Sequence, residues 1–182
     1  MQQSPKILLA VTGASGAIYA RTLLRRLLDR EDVVGLTLSA YGRQVVEEEL
    51  GPNDDPVEAV LGRPCDRVRL YPRDAYDGPF ATGSTPWQAV VIAPCSMGTV
   101  GRIAAGISTD LVTRSADVAL KERRRLILVP RESPFSLIHL RNLTALAEAG
   151  AIIVPPSPAF YQHPETLEDL VDFVVSRILA QL

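Results

Sequence analysis

The sequence predicts a single-domain α/β fold in which a parallel sheet of about six strands carries helices on both faces. Short unbroken apolar runs at 7–11, 89–93 and 126–129 have the pattern of strands covered on both sides. Segments of helical period lie between the runs. At 182 residues and 47% hydrophobic composition, the chain fits one domain, 1–182, with a sizeable core.

The strand at 7–11 runs into Gly13-Ala14-Ser15-Gly16, small residues suited to a close approach between backbone and ligand. A helix opens at Ala17 and turns Leu23, Leu24, Leu27 and Leu28 to the sheet. The first N–H groups of a helix have no partner inside it and its dipole favours negative charge, so this turn is expected to take a phosphate. Two familiar readings fail here. A dinucleotide fingerprint needs a third glycine where Tyr19 stands, and an acid where the second strand ends in Ser39. A serine-hydrolase elbow needs a residue between Ser15 and Gly16. Ser15 therefore reads as a ligand contact rather than a nucleophile.

The second strand is expected at 33–39 and a helix at 40–50, stopped by Gly51-Pro52. Glu47, Glu48 and Glu49 oppose the dipole at the end of that helix, so they form either a solvated end or the setting of a carboxylate kept there for work. Residues 53–64 read as irregular apart from a turn at 57–61, residues 67–71 alternate like a strand, and residues 72–86 form a long loop. The strand at 89–93 ends in Pro94-Cys95-Ser96-Met97-Gly98-Thr99, a second loop with hydroxyls and a glycine at a C-terminal strand end. Ligands of open parallel sheets collect at such ends, so the two loops argue for one shared site.

Ser108 or Thr109 is the expected cap of a helix running to Lys121. Asp110, Arg114, Asp117 and Lys121 share one of its faces, either as an exposed ion-paired surface or with Arg114 and Lys121 presenting cations to a ligand phosphate. Arg131 and Glu132 follow the strand at 126–129, where charges are costly unless paired or useful. A helix at 137–149 closed by Gly150, a last strand at 151–154 and a proline-stiffened loop holding Tyr161 come next. Thr166 and Asp169 form a capping box for the final helix, with Arg177 on its flank.

A net charge of -2 gives no basic footprint for nucleic acid, and no apolar run reaches a membrane span. Met1-Gln2-Gln3-Ser4-Pro5 lacks the basic and apolar regions of a signal peptide, so a cytoplasmic protein is expected. Two cysteines and two histidines make no zinc-spaced cluster, and no metal is expected.

Five motifs in order, TGASGA at 12–17, PCSMGT at 94–99, TRSADVALKERR at 113–124, VPRESP at 129–134 and PPSPAFYQHP at 155–164, make the chain resemble the UbiX-type flavin prenyltransferases of the flavoprotein superfamily. The resemblance implies a Rossmann-like parallel sheet that binds FMN and prenylates its reduced form with dimethylallyl phosphate, without metal. It implies a homododecamer with sites where subunits meet, and a product used by a UbiD-type decarboxylase. By position it gives FMN to Gly13, Ala14, Ser15, Ser39, Ser96, Met97, Gly98, Thr99 and Arg131. It gives the prenyl phosphate to Lys121, Tyr161 and Arg177, with Arg114 close by. Catalytic roles fall to Ser15, Glu49, Lys121 and Glu132, the two glutamates as acid–base or carbocation-stabilising groups. Relatives often end in a tail that carries a tryptophan, whereas the single tryptophan here is Trp87. A cysteine decarboxylase of the same superfamily would call for a histidine after the first helix, and none precedes His139. A non-catalytic flavin-binding accessory subunit would leave Lys121, Glu132 and Arg177 without a role.

Overall fold

Six parallel strands, β1 (Ile7–Val11), β2 (Val34–Leu38), β3 (Val68–Leu70), β4 (Ala89–Cys95), β5 (Arg125–Pro130) and β6 (Ile152–Ile153), form one sheet in the order β3-β2-β1-β4-β5-β6. The computed structural model describes residues 4–31 and 33–182; the leader reading at Met1-Gln2-Gln3 lies outside the described residues. Strand order reverses between β1 and β4, which leaves a crevice beyond their C-terminal ends. Both strands are buried along their whole length, which is why they read as continuous apolar runs rather than alternating ones.

The helices divide between the two faces. On one, α1 (Ala17–Leu28), α2 (Ala40–Leu50), α3 (Pro56–Leu61) and α7 (Leu167–Leu179) cover a core that includes Leu9, Leu24, Leu36 and Val175. On the other, α4 (Met97–Ala104), α5 (Leu111–Lys121) and α6 (Leu137–Glu148) cover Leu8, Val90, Leu111 and Leu128. Burying each such leucine contributes roughly 1.5–3 kcal/mol. Trp87 belongs to this second core, packed on Phe80 with Arg124 stacked 4.3 Å from its ring, so it is a structural residue. No helix among the described residues is long and apolar enough to cross a membrane.

Several boundaries depart from the sequence expectation. The segment expected as irregular at 53–64 contains α3, whose first N–H groups are capped by Asp55 and whose terminal carbonyls accept hydrogen bonds from Arg21 and Arg25 of α1. The loop expected at 94–99 is the end of β4 followed directly by α4, an eight-residue helix whose two glycines hid its period. Ser39 is not the end of β2 but the N-cap of α2. The cap of α5 is Asp110, not Ser108 or Thr109; it makes a reciprocal capping box with Thr113.

Candidate functional site

The turns after β1 and β4 meet at the strand-order reversal, and buried Thr12 locks them together. Its hydroxyl donates to Pro94 O at 2.8 Å and accepts from Ser96 N at 2.8 Å, while its own N–H reaches Pro94 O at 3.2 Å. Thr12 opens the TGASGA motif, but sequence alone assigns it no role, because nothing local shows that its hydroxyl meets the turn after β4. Beside the junction lies a cavity of about 340 Å³ lined by Gly13, Ser39, Ser96, Gly98 and Thr99. Five of the expected flavin contacts therefore share one space. Arg73, Arg102 and Asp110 line it too, and none of the three was singled out as a ligand contact.

Two helices start at this cavity. Ser39 caps α2 by accepting from Gly42 N, and Ser96 caps α4 by accepting from Thr99 N. The preceding N–H groups of each helix have no partner within the helix, so both positive dipole ends face the cavity. Close packing fixes this geometry. A Cβ on Gly42 would run into the carbonyl of Val11, and one on Gly13 into Tyr41 Cβ. At Gly98 an added Cβ would meet open space.

The start of α1, where the sequence reading puts a phosphate, is filled instead by a side chain of the protein. Gly16, its N-cap, takes a left-handed conformation (φ 119°) and offers no capping side chain. The Glu49 carboxylate, at the end of α2, accepts from Gly16 N at 2.9 Å and Ala17 N at 2.8 Å. Partial burial pushes the Glu49 carboxyl up, but hydrogen bonds from the Ser15 hydroxyl, Gly16 N and Ala17 N, with the charge of Arg131, outweigh it and hold the carboxyl below its ordinary value. Arg131 is fixed by donating from Nε to Ser15 O at 3.0 Å. Ser15, Glu49 and Arg131 thus form a second cluster adjoining the cavity. Of the two readings of the acidic end of α2, the solvated end describes Glu47 and Glu48, which pair along the helix with Arg43 and Gln44. It does not describe Glu49.

The remaining expected residues lie elsewhere in one chain. Glu132 accepts from Ser133 N just past β5. Arg114 donates to Ala81 O and pairs with Asp117, holding the 72–86 segment against α5. Lys121 pairs with Glu122 at the far end of α5, roughly 15 Å along the axis from Leu111, at the edge where β4 and β5 begin. Arg177 is near the same edge on the opposite face of the sheet, in a groove with Phe173 and Gln181 along β6. Tyr161 is exposed and packs edge-on against Phe173. Lys121 lines neither the groove that holds Arg177 nor the cavity beside the junction.

Residues 1–179 match the Flavoprotein family. The flavin prenyltransferase UbiX of Methanocaldococcus jannaschii is 44% identical over 174 residues, covering 96% of this chain and 91% of that relative. The crystal structure of AnUbiX in complex with FMN and dimethylallyl pyrophosphate superposes with a TM-score of 0.90 at 37% identity, covering 98% of this chain and 92% of the other. A dodecameric FMN-dependent UbiX-like decarboxylase from Escherichia coli does so with a TM-score of 0.88 at 39% identity, over 96% and 93% of the two chains. The chain belongs to the flavoprotein family, in its UbiX-type flavin prenyltransferase branch.

Proposed function

We propose that the 182 residues act as one FMN-binding domain of a cytoplasmic flavin prenyltransferase, joining a dimethylallyl group from dimethylallyl phosphate to reduced FMN for use by a UbiD-type decarboxylase. One observation carries the reading: Thr12 ties the two turns around a cavity that offers hydroxyls, unpartnered helix N–H groups and guanidinium groups, with the ionised Glu49 carboxylate adjoining. Those donors fit a flavin mononucleotide, whose phosphate needs them and whose ring system can extend past Gly13 toward Ser15 and Arg131.

Reduced FMN, when bound, supplies the nucleophile. The allylic C–O bond of the donor breaks with its electron pair going to phosphate, a bond from the prenyl carbon to the flavin forms, and the displaced flavin proton is released. The protein's task is to stabilise both charges of that step. Lys121, Arg177 and the Tyr161 hydroxyl take the departing phosphate, with Arg114 close by. Glu49 and Glu132 face the positive prenyl carbons. A carboxyl held below its ordinary value is a poor proton acceptor near neutral pH, so Glu49 serves better as a fixed negative charge than as a base.

Because Lys121 and Arg177 lie far from the cavity in their own chain, the prenyl phosphate site is completed by neighbouring copies in a homo-oligomer, a dodecamer by analogy with the relative. Exposed Leu137, Ile138 and Leu140 on α6 and Phe160 in the proline loop offer apolar surface for such contacts. The test is to incubate the purified protein with reduced FMN and either dimethylallyl phosphate or pyrophosphate, then take the mass of the released flavin. A flavin heavier by one prenyl unit is expected; unaltered FMN with both donors would refute the activity. Lys121→Ala is expected to spare folding and FMN binding yet slow prenylation about a hundredfold, near 3 kcal/mol in barrier. Wild-type turnover at limiting and saturating donor would return Lys121 to an ordinary surface ion pair.

A further inference from the structure

Glu122 stands at a place that its own helix disfavours. It is the C-cap of α5, where the negative end of the helix dipole opposes an acid and favours the Lys121 that precedes it. What holds Glu122 there is its side-chain surroundings. Its Oε1 accepts from Lys121 Nζ at 2.6 Å, and that hydrogen bond with the charge of Lys121, helped by the charge of Arg124, keeps the carboxyl below its ordinary value. The 82–85 segment is shaped around it. Arg124 donates to Gly83 O at 2.5 Å and to Thr85 O at 2.8 Å, and stacks on Trp87, whose indole N–H reaches Thr82 O at 3.3 Å. Gly83 is thereby fixed against Glu122, and a Cβ added there would run into the carboxylate. An ammonium has three donors; Glu122 takes one from Lys121, and the others have no acceptor among the described residues.

We propose that Glu122 is a positioning residue for Lys121 and sets the donor preference of the site, favouring a monophosphate ester over the more highly charged pyrophosphate. The proposal rests on the reading of Lys121 as a ligand of the donor phosphate. The ion pair holds the ammonium in one place at the end of α5 and leaves its remaining donors to receive phosphate oxygens. The same carboxylate repels what Lys121 attracts, and the penalty grows with the charge of the donor. A phosphate monoester carries about two negative charges near neutral pH and a pyrophosphate about one more. In a partly solvated site, one further unit of charge a few ångströms beyond the first phosphate is worth about fivefold in affinity.

The experiment is to measure kcat/KM for prenylation of reduced FMN with dimethylallyl phosphate and with dimethylallyl pyrophosphate, in the wild type, Glu122→Gln and Glu122→Asp. The wild type should favour the monophosphate. Glu122→Gln should move the ratio of the two kcat/KM values about fivefold toward pyrophosphate, chiefly through a lower KM for that donor. Glu122→Asp keeps the charge, so it should keep the wild-type ratio whatever it does to the rate. A wild type that prefers pyrophosphate, an unchanged ratio in Glu122→Gln, or the same shift in both variants would overturn the assignment and leave Glu122 an ordinary surface partner of Lys121. If Glu122→Gln does not fold, Gly83→Ala decides the matter by the same ratio, because its Cβ crowds the carboxylate away from Lys121 while both charges remain. Wild-type turnover in Lys121→Ala would instead defeat the reading of Lys121 itself, and the proposal with it.

Discussion

The starts of α1 and α4 follow the two strands that flank the strand-order reversal, yet they end up with opposite electrostatics. At α1 the free N–H groups are taken by Glu49, which donates its charge across from the end of α2. At α4, and at α2 beside it, small hydroxyl caps satisfy one N–H each and leave the rest facing a cavity rimmed by Arg73 and Arg102. A helix N-terminus is therefore not by itself a phosphate site; what stands opposite it decides. Glu49 illustrates the other half of the rule. An acid at the C-terminus of its own helix is unfavourable there, and the N-terminus of a neighbour offsets the cost.

Three substitutions sharpen or break this contrast. The largest effect is expected from Gly42→Ala, whose Cβ would lie 2.8 Å from the Val11 carbonyl carbon and 3.1 Å from Ser39 Oγ. Overpacking against backbone should destabilise by about 3 kcal/mol. For a chain of this length that is roughly 6–12 °C in Tm, read by thermal unfolding, with FMN affinity falling as α2 is pushed off β1. An unchanged Tm would mean that α2 is free to shift and the cavity is soft.

Thr12→Val comes next, at about 2 kcal/mol, because it strands the partly buried Ser96 N–H and removes a donor to Pro94 O. Its mark is loss of FMN affinity along with stability; stability loss alone would show that the turns stay aligned without the hydroxyl. Glu49→Gln is the smallest in stability, about 1 kcal/mol near neutral pH. The folded-state value of the carboxyl lies below its ordinary 4.5, so its contribution is present above that value and disappears as the pH falls through the lowered one. Unfolding curves of the wild type and Glu49→Gln should therefore converge in acid. A gap that persists at low pH would mean that the carboxylate charge is not what caps α1.

The sheet was legible in the sequence because doubly covered strands leave unbroken apolar runs, and the bounds of β1 and α2 agree residue for residue. Convergence of the two turns was legible as well, since both end strands next to small and hydroxyl residues. What escaped was set by tertiary contact. The α3 helix is short and held at its end by Arg21 and Arg25 from another element, so its own residues carry a weak signal. Glu49 looked like one of three acids at a helix end until the fold brought it to Gly16, thirty-three positions away in sequence. Arg73 and Arg102 belong to no recognised motif, and only the approach of the 72–86 segment to α4 places them on one cavity.

The separation of Lys121 and Arg177 from the cavity within one chain has a genetic consequence. Where each site draws its phosphate cations and its flavin pocket from different copies, a lesion in one half spares the other half of the same polypeptide. Chains carrying Lys121→Ala and chains carrying Thr12→Val, each expected to be impaired alone, should on co-assembly rebuild some sites with both halves intact. Activity of the co-expressed mixture would then exceed that of either variant by itself, and in a strain lacking the enzyme the two alleles would complement one another.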